Sequence, residues 1–263
     1  MISPPRAGSR AGFARDLVAA TRPWLLDWFA AGLTVDTKAD RTPVTEADVA
    51  MEQHIRQQLL ARFPEDGFYG EETGRLQGDG RWQWLLDPID GTRSFTRGYG
   101  FFSTQLAAMQ DAQLVLGVSQ APVSDELLWA EQGGGAWQAT RRLQVSSVER
   151  LDCAHVSFGN INSMAAEPAA WARLAKLIGA CERHRGYGDY LHYHLLAQGC
   201  IDVVLESDVS ILDIAALTVI IREAGGVVSD MQGNPVGLTT TSIVAANPSL
   251  HAQVLAMLNE GRE

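Results

Sequence analysis

Two aspartates stand three positions apart at the end of an apolar run, in the stretch WQWLLDPIDGTRSF of residues 82–95. Asp87 and Asp90 either cap the next helix or hold a ligand. Pro88 between them predicts a stiff turn, so both carboxylates and the Ile89 carbonyl can face one point. Hard divalent cations such as Mg²⁺ take oxygen ligands of this kind, and two such ions about 4 Å apart can clamp an in-line displacement at phosphorus.

Other acids stand at the ends of further elements. Glu71 and Glu72 end the short apolar run GFYGEE, Asp48 lies in the first turn of the helix that begins at VTEAD, and Asp213 opens the helix DIAALTVIIREAGG. Each has a plainer interpretation: Asp213 as a partner of the helix dipole, Asp48 as part of a capping box with Thr45, and the glutamates as a solvated turn. The coincidence of acids at the ends of four elements favours metal ligands.

The elements that must position these acids change in pattern along the chain. Helical spacing predicts helices over 9–31 and 45–62, joined by the polar stretch TVDTKADRTPVT, which we expect to be a loop over a working surface. An antiparallel sheet packed on these helices is predicted from strands at 82–87, 103–109, 113–120 and 126–131. Further strands are predicted near 154–158, 201–205, 227–229 and 242–246, alternating with helices near 165–181, 189–199, 213–224 and 248–259.

The predicted fold class is α/β, in two halves that form one compact unit. Residues 1–140 are expected to be α+β, with helices, an antiparallel sheet and most of the candidate metal ligands. Residues 141–263 are expected to be an α/β layer that carries Asp213. Because Asp213 must reach ligands within residues 71–90, the site should lie between the halves.

Composition excludes several classes of protein. The chain has 263 residues, of which 46% are hydrophobic, and a formal net charge of −10, which argues against the basic surface that a nucleic acid needs. Its three cysteines form no CxxC pair, so a disulfide framework or a thiolate metal site is not expected. The sequence shows no signal peptide and no apolar run of membrane-spanning length, which predicts a cytoplasmic protein with no membrane partner.

The motifs GEETG, LLDPIDGTRSF and LDIAAL followed by EAGG resemble those of the inositol monophosphatase family of metal-dependent, lithium-sensitive phosphatases, over nearly the whole chain. This resemblance implies a layered αβαβα fold of the sugar-phosphatase type, two or three Mg²⁺ ions, inhibition by Li⁺ and a homodimer. It also implies the metal ligands, which by motif are Glu71, Asp87, the Ile89 carbonyl, Asp90 and Asp213.

The same resemblance assigns water activation to two residues. Asp48 of VTEAD and Thr92 of DGT would orient or deprotonate the attacking water, with the Thr92 hydroxyl held by Asp48. The local chemistry agrees, because Gly91 permits close backbone approach and the amides of Gly91 and Thr92 can receive a phosphate oxygen. No covalent intermediate is required, and the sequence identifies no serine or cysteine with an adjacent base.

The alcohol half of the substrate is indicated by the segment GYGDYLHYHLLAQGCIDVVLE. It resembles the GDxxxY segment of the histidinol-phosphatase branch more than the GSAAL segment of inositol enzymes, and Arg93 in DGTRSF agrees with that branch. Asp189 can pair with the cationic groups of histidinol phosphate, whereas inositol offers only neutral hydroxyls. The interpretation is hydrolysis of L-histidinol phosphate, in histidine biosynthesis.

Alternatives stay open at this point. Asp189 is equally consistent with a helix N-cap, since a glycine precedes it and a helical pattern follows. His192 and His194 lie two apart, so they should point to different helix faces and not share a metal. An inositol-1-monophosphatase or a broad sugar or polyol phosphatase is the runner-up function, and a non-catalytic binding module of the same fold is a remote one.

Overall fold

The computed structural model describes residues 9–32, 35–37 and 43–261. Within these ranges the chain forms eight helices, numbered along the sequence. They are α1 (Arg10–Ala31), α2 (Glu46–Arg62), α3 (Thr92–Thr96), α4 (Asn162–Ala166), α5 (Pro168–Ala180), α6 (Asp189–Ala197), α7 (Ile211–Glu223) and α8 (Pro248–Leu258).

The strands of the same ranges form two large sheets and one hairpin. The hairpin pairs β1 (Val35–Thr37) with β2 (Pro43–Thr45). The first sheet contains β3 (Gly67–Gly70), β4 (Gly74–Leu76), β5 (Trp82–Asp90), β6 (Ser103–Gln110), β7 (Gln113–Ala121), β8 (Glu126–Glu131), β9 (Gly135–Gln138) and β10 (Arg141–Arg142). The second contains β11 (His155–Phe158), β12 (Arg183–Arg185), β13 (Val203–Ser207), β14 (Val227–Ser229) and β15 (Ser242–Ala246).

Three apolar cores hold five layers together, because the central core fills both sides of the middle helix layer. Alternate residues of a strand point to opposite faces of its sheet, so each sheet serves two cores. In β5, Trp84 and Leu86 face α1 and α2, while Leu85 faces the central core with α6 and α7. In β13, Val204 joins that central core, and Val203 and Leu205 face α5 and α8. The order helix, sheet, helix, sheet, helix confirms the predicted fold class.

The central layer depends on close contact between α7 and the first sheet. Ten residues of α7, from Ile211 to Ile221, are buried, so this helix is apolar on nearly every side. At Gly117 in β7, any side chain would overlap the Ala216 carbonyl, and glycine therefore allows the helix to lie directly on the strand. Asp213 stands near the start of this helix, which fixes its position against both halves of the chain.

Most long elements were predicted to within about two residues, which is the usual uncertainty of an element end. The helix predicted at 165–181 is divided into α4 and α5 at Glu167, whose backbone is extended (φ −107°, ψ 110°). The residue before a proline is disfavoured in helical conformation, so Pro168 both ends one helix and begins the next.

Two expectations for the first half are corrected. The first sheet is not wholly antiparallel, because β3 runs parallel to β5. The stretch expected to be a loop contains the β1–β2 hairpin, while residues 33–34 and 38–42 lie outside the described residues. The boundary near residue 140 falls just before β10, and the division into halves there stays a prediction. None of the helices in the described ranges has the length and apolar character to cross a bilayer.

Candidate active site

Asp87 and Asp90 lie within β5, and a bulge turns them to one side. We expected a proline turn after a strand ending at 87, but the strand continues to Asp90. Asp87 pairs with Gln105 and Asp90 with Ser103, so three steps along β5 match two along β6. In a regular strand, residues three apart point to opposite faces, and the extra residue restores both to the same face.

Local hydrogen bonds hold this bulge. Asp87 Oδ1 accepts from the backbone N–H of Ile89 at 3.0 Å, and Ser103 Oγ donates to Asp90 Oδ2 at 3.1 Å. Thr104 Oγ1 donates to the Pro88 carbonyl at 2.9 Å. Because proline has no N–H to give to a sheet, a bulge is where an inner strand tolerates it. DPID therefore encodes a bulge that presents two buried carboxylates.

Asp213 is the third residue of α7, whereas the sequence placed it first. Its Oδ2 accepts from the Ser210 backbone N–H at 2.8 Å and its Oδ1 from Ser210 Oγ at 2.9 Å. Asp213 therefore does stabilise the start of α7, in line with its plainer interpretation. The carboxylate nevertheless lies in the acidic cluster, since its charge raises the pKa of both Asp87 and Asp90.

Asp48 also forms a capping box, as its plainer interpretation predicted. Its Oδ2 accepts from the Thr45 backbone N–H at 2.7 Å and from Thr45 Oγ1 at 2.6 Å. Its Oδ1 is buried and has no hydrogen-bond partner among the described residues. Burial raises the pKa of Asp48 to about 6, despite the Thr45 hydrogen bonds. One oxygen is fixed, and the other is left for a water or a substrate.

Glu71 stands on the turn between β3 and β4 and is exposed. Its charge raises the pKa of Asp87, Asp213 and Asp48. The charge of Glu72 also raises the pKa of Asp48, by more than the charge of Glu71 does. Glu71 is thus the member of the pair whose charge raises the pKa of all three aspartates, as expected for the first acid of GEE.

The acids form one electrostatic cluster. Burial and the negative charges of Glu71, Asp90, Asp213 and Asp48 raise the pKa of Asp87 well above its usual range. Burial and the charges of Asp189, Asp213 and Glu206 do the same for Asp90. Repulsion of this kind is relieved by a bound cation.

The donor set fits a hard divalent cation in kind, since it consists of carboxylate oxygens and a backbone carbonyl. Among the described residues, no three His, Cys, Asp or Glu side chains lie close enough together to hold a metal ion as they stand. Mutual repulsion keeps uncompensated carboxylates apart, so ligation requires their oxygens to draw together. Ligation by Glu71, Asp87, Ile89, Asp90 and Asp213 stays a prediction.

The DGT turn follows directly on this cluster. Gly91 has φ 85°, and a Cβ there would stand 2.6 Å from the Phe101 carbonyl oxygen, so only glycine fits. Thr92 Oγ1 donates to the Ile89 carbonyl at 2.9 Å. We expected Asp48 to hold this hydroxyl, but in the structure Asp48 accepts its hydrogen bonds from Thr45 instead. Arg93 is exposed on α3, and its substrate role stays a prediction.

Asp189 lies against this turn from the second half of the chain. Ser94 Oγ is 3.4 Å from Asp189 Oδ2, and the same oxygen would be 3.5 Å from a Cβ on Gly91. The N-cap of α6 is Gly188, with no side-chain cap bond, so Asp189 is not the cap that the alternative required. Burial, and then the charge of Glu206, raises the pKa of Asp189, while His192 opposes this.

Two buried glutamates at the site escaped sequence analysis. Glu52 supports the turn that carries Glu71, and Glu206 is the next-to-last residue of β13, where its charge acts on Asp189. The Glu206 carboxylate accepts from the backbone N–H of Asn160 at 3.0 Å and from the Tyr193 hydroxyl at 2.8 Å. It also lies 3.2 Å from His192 Nε2. Although burial acts in the opposite direction, these hydrogen bonds hold the pKa of Glu206 below its usual range. The signal was available, since an acid that ends the apolar run DVVLE resembles Asp87.

The two histidines of α6 point to different faces, as predicted. His192 contacts Ser157 and Glu206, whereas His194 contacts Ser119 and Glu126. Each is a serine–histidine–glutamate chain, which is the order of groups in a nucleophilic triad. Both serines are fully buried, so neither hydroxyl can meet a substrate, and these chains stabilise the interior.

Comparisons with known proteins agree with this geometry. A sequence model described as the inositol monophosphatase family matches residues 9–263. A Mycobacterium tuberculosis protein named histidinol-phosphatase is 41% identical over 87% of this chain and 89% of its own. A Rhizobium meliloti protein named inositol-1-monophosphatase is 34% identical over 82% of each. The solved Thermotoga maritima IMPase superposes with a TM-score of 0.85 at 28% identity, covering 95% of this chain and 97% of that one.

The match runs through both sheets and every element that carries the acidic cluster. The chain therefore belongs to the inositol monophosphatase family.

Proposed function

We propose that this protein is a Mg²⁺-dependent phosphomonoesterase that hydrolyses L-histidinol phosphate to L-histidinol and phosphate. The observation that carries the proposal is that Asp189 lies beside the DGT turn, next to the acidic cluster. A phosphate bound at the cluster would thus leave its alcohol within reach of a second acidic region. Relatives named histidinol-phosphatase support this substrate.

The acidic cluster would receive the phosphate through its metal ions. Glu71, Asp87, Asp90, Asp213 and the Ile89 carbonyl would hold two or three Mg²⁺ ions. Bound Mg²⁺ supplies positive charge for the phosphate oxygens and lowers the pKa of a coordinated water. We infer inhibition by Li⁺ from family membership, through competition at one of the cation positions. The backbone at Gly91 and Thr92 would support one phosphate oxygen.

Proton transfer from the attacking water would fall to Asp48. Its unpartnered Oδ1 can accept a hydrogen bond, and a pKa of about 6 places a base near neutral pH. Thr45 keeps the other oxygen in place, and β2, which includes Thr45, contacts α3. The Thr92 hydroxyl, held at the Ile89 carbonyl, would fix the water by accepting from it, with no covalent phosphoenzyme.

The alcohol end would be selected by charge. Glu206 stays ionised, and together with Asp189 it makes this side of the site negative. A cationic amine or imidazole placed there relieves the repulsion that raises the pKa of Asp189. Neutral hydroxyls relieve none of it. A buried charge-assisted hydrogen bond contributes about 1.5–3 kcal/mol, or about tenfold to a hundredfold in discrimination.

The test compares kcat/KM for L-histidinol phosphate, inositol 1-phosphate, glycerol 2-phosphate and 3′-phosphoadenylate at one Mg²⁺ concentration. We expect histidinol phosphate to be preferred, and Asp189→Asn to remove most of that preference while sparing glycerol 2-phosphate. Asp189 has φ 45°, a conformation that asparagine also tolerates, so the backbone should not change. Asp125→Asn, at an exposed position with φ 56°, is the matched control.

Inositol-1-monophosphatase activity is the second candidate, because relatives of that name match over similar lengths. A wild-type preference for inositol 1-phosphate would establish it, and an equal loss for every substrate in Asp189→Asn would show that Asp189 is structural and favour the broader inositol-type activity. Release of no phosphate from a broad phosphomonoester panel with Mg²⁺ would instead establish a binding module. We further propose a cytoplasmic location and a homodimer, and light scattering of the purified protein would test the dimer.

A further inference from the structure

A cavity of about 240 Å³ lies at the carboxyl end of β13, on the side of the second sheet that faces α5 and α8. It shares no residue with the acidic cluster. A volume of this size suits a small molecule of about amino-acid size. Its apolar lining includes Met164, Met231 and Leu258, and its charged lining includes Arg173 and Asp208.

Arg173 is the least satisfied charged group of this cavity. Its side chain is only 14% exposed. Within the described residues the guanidinium makes no hydrogen bond. Its one ion pair there joins Nη2 to Oε1 of the exposed Glu167 at 3.8 Å. A guanidinium offers five N–H donors, and at 3.8 Å the contact with Glu167 is too long to be a hydrogen bond. An anion that enters the cavity would receive those donors.

The other lining residues restrict the charge and shape of that anion. Asp208 keeps its negative charge, since hydrogen bonds from Ser163 and Ser207 hold the pKa of its carboxyl below the usual range although burial acts the other way. A phosphate dianion would meet this carboxylate, and a single arginine does not offset two charges. A carboxylate carries one charge and matches the planar guanidinium in two parallel hydrogen bonds.

The apolar lining gives the rest of the ligand. Met164 and Met231 are both buried, and methionine side chains adapt to ligands of varied shape. We propose that this cavity is a binding site for a small monocarboxylate with an apolar tail, in which Arg173 pairs with the carboxylate and the two methionines contact the tail. The site is independent of phosphate hydrolysis and goes beyond the proposed function.

The test is isothermal titration calorimetry in buffer with EDTA and without phosphate. The probes are 4-methylpentanoate and L-leucine, which carry a carboxylate, and L-leucinol, which keeps the tail but has an alcohol in its place. We expect the two carboxylates to bind and L-leucinol to bind at least about tenfold more weakly. Equal binding of L-leucine and L-leucinol, or no binding of any probe, would overturn the proposal.

Two variants locate the binding. Arg173→Met keeps the length of the side chain and should weaken 4-methylpentanoate at least about tenfold, and Ala170→Leu should block the cavity while keeping the arginine. Arg150→Met, which removes an exposed arginine paired with Asp152, is the control and should bind as the wild type does. Phosphatase kcat/KM should be unchanged in all three. Undiminished binding in Ala170→Leu and Arg173→Met would place the ligand elsewhere and refute the site.

Discussion

Glu52 Oε1 accepts a hydrogen bond of 2.6 Å from the backbone N–H of Thr73, which joins the inner face of α2 to the turn after β3. Its other oxygen, Oε2, accepts from the backbone N–H of Glu72 at 2.8 Å. Glu52 is completely buried, so both bonds are shielded from water. The carboxylate therefore fixes the backbone that presents Glu71 to the acidic cluster.

Glu52→Gln should weaken Mg²⁺ binding while the protein stays folded. A glutamine amide has one oxygen, so one of the two N–H groups loses its acceptor and the turn loosens. Loss of a residue that orients a metal ligand typically costs 10- to 100-fold in metal affinity or activity. We expect the half-saturating Mg²⁺ concentration to rise by about that factor, and kcat at saturating Mg²⁺ to change less.

The measurement is phosphate release across a Mg²⁺ series, with thermal unfolding to check the fold. Glu46→Gln, at an exposed position in the first turn of the same helix, is the matched control. An unchanged Mg²⁺ dependence in Glu52→Gln would show that the turn holds its position without this carboxylate.

Glu71→Gln should reduce activity far more than Glu72→Gln. The charge of Glu71 reaches Asp87, Asp213 and Asp48, whereas that of Glu72 acts on Asp48. A lost metal ligand should lower kcat/KM by about a hundredfold or more, and Glu72→Gln by less than about tenfold. Equal losses in the two variants would mean that the ligand within this pair is wrongly assigned.

Asp87→Asn and Asp90→Asn should separate activity from stability. Each replacement removes a charge with little change in volume, so kcat/KM should fall by about a thousandfold or more. Because both carboxylates repel their neighbours, the metal-free variants should melt at or above the wild-type temperature. Calorimetric melting in EDTA measures this, with the exposed Asp111→Asn as the control. A large loss of stability would show that these aspartates serve mainly the fold.

The layers could be predicted because apolar alternation in β5 to β8 and helical spacing in α7 are local properties of the sequence. Five short strands were missed, β3, β4, β9, β10 and β12, because two to four residues carry little periodicity, although the equally short β11 and β14 were predicted. Pro88 correctly indicated an irregular backbone. It could not show whether the irregularity is a turn or a bulge, because proline is compatible with both. Whether Asp87 and Asp90 share a face is decided by pairing with β6.

The site followed the same division. The sequence indicated Glu71, Asp87 and Asp90 because they end apolar runs in motifs, and Asp213 because it opens a helix; their role as metal ligands stays a prediction. Glu52 was missed because its role exists only through contact with a turn some twenty residues away. The partner of Thr92 was also mistaken, since hydrogen-bond geometry in the DGT turn depends on how α2 and β5 pack together.

The metal-free protein should lose stability as pH rises from about 4 to above 6. The pKa values of Asp48 and Asp213 are raised to about 6 in the folded state, against an ordinary 3.8. Between those values the folded state binds more protons than the unfolded state, so the free energy of unfolding decreases with pH. A pKa difference of about 2 corresponds to about 3 kcal/mol for each group. Burial and the neighbouring acids also raise the pKa of Asp87 and Asp90 well above the usual range, so both groups contribute to the same decrease.

Two histidines oppose this trend, and Mg²⁺ allows the two effects to be separated. Burial lowers the pKa of His194 and His251, so each costs stability as pH falls below the ordinary value of 6.5. Their contribution is the same with and without the metal. Urea unfolding from pH 5 to pH 8, in EDTA and in Mg²⁺, should therefore show a stabilisation by Mg²⁺ that grows with pH, because a cation offsets only ionised carboxylates. Asp48→Asn should flatten this growth, and a stabilisation independent of pH would mean that Mg²⁺ does not bind at the acidic cluster.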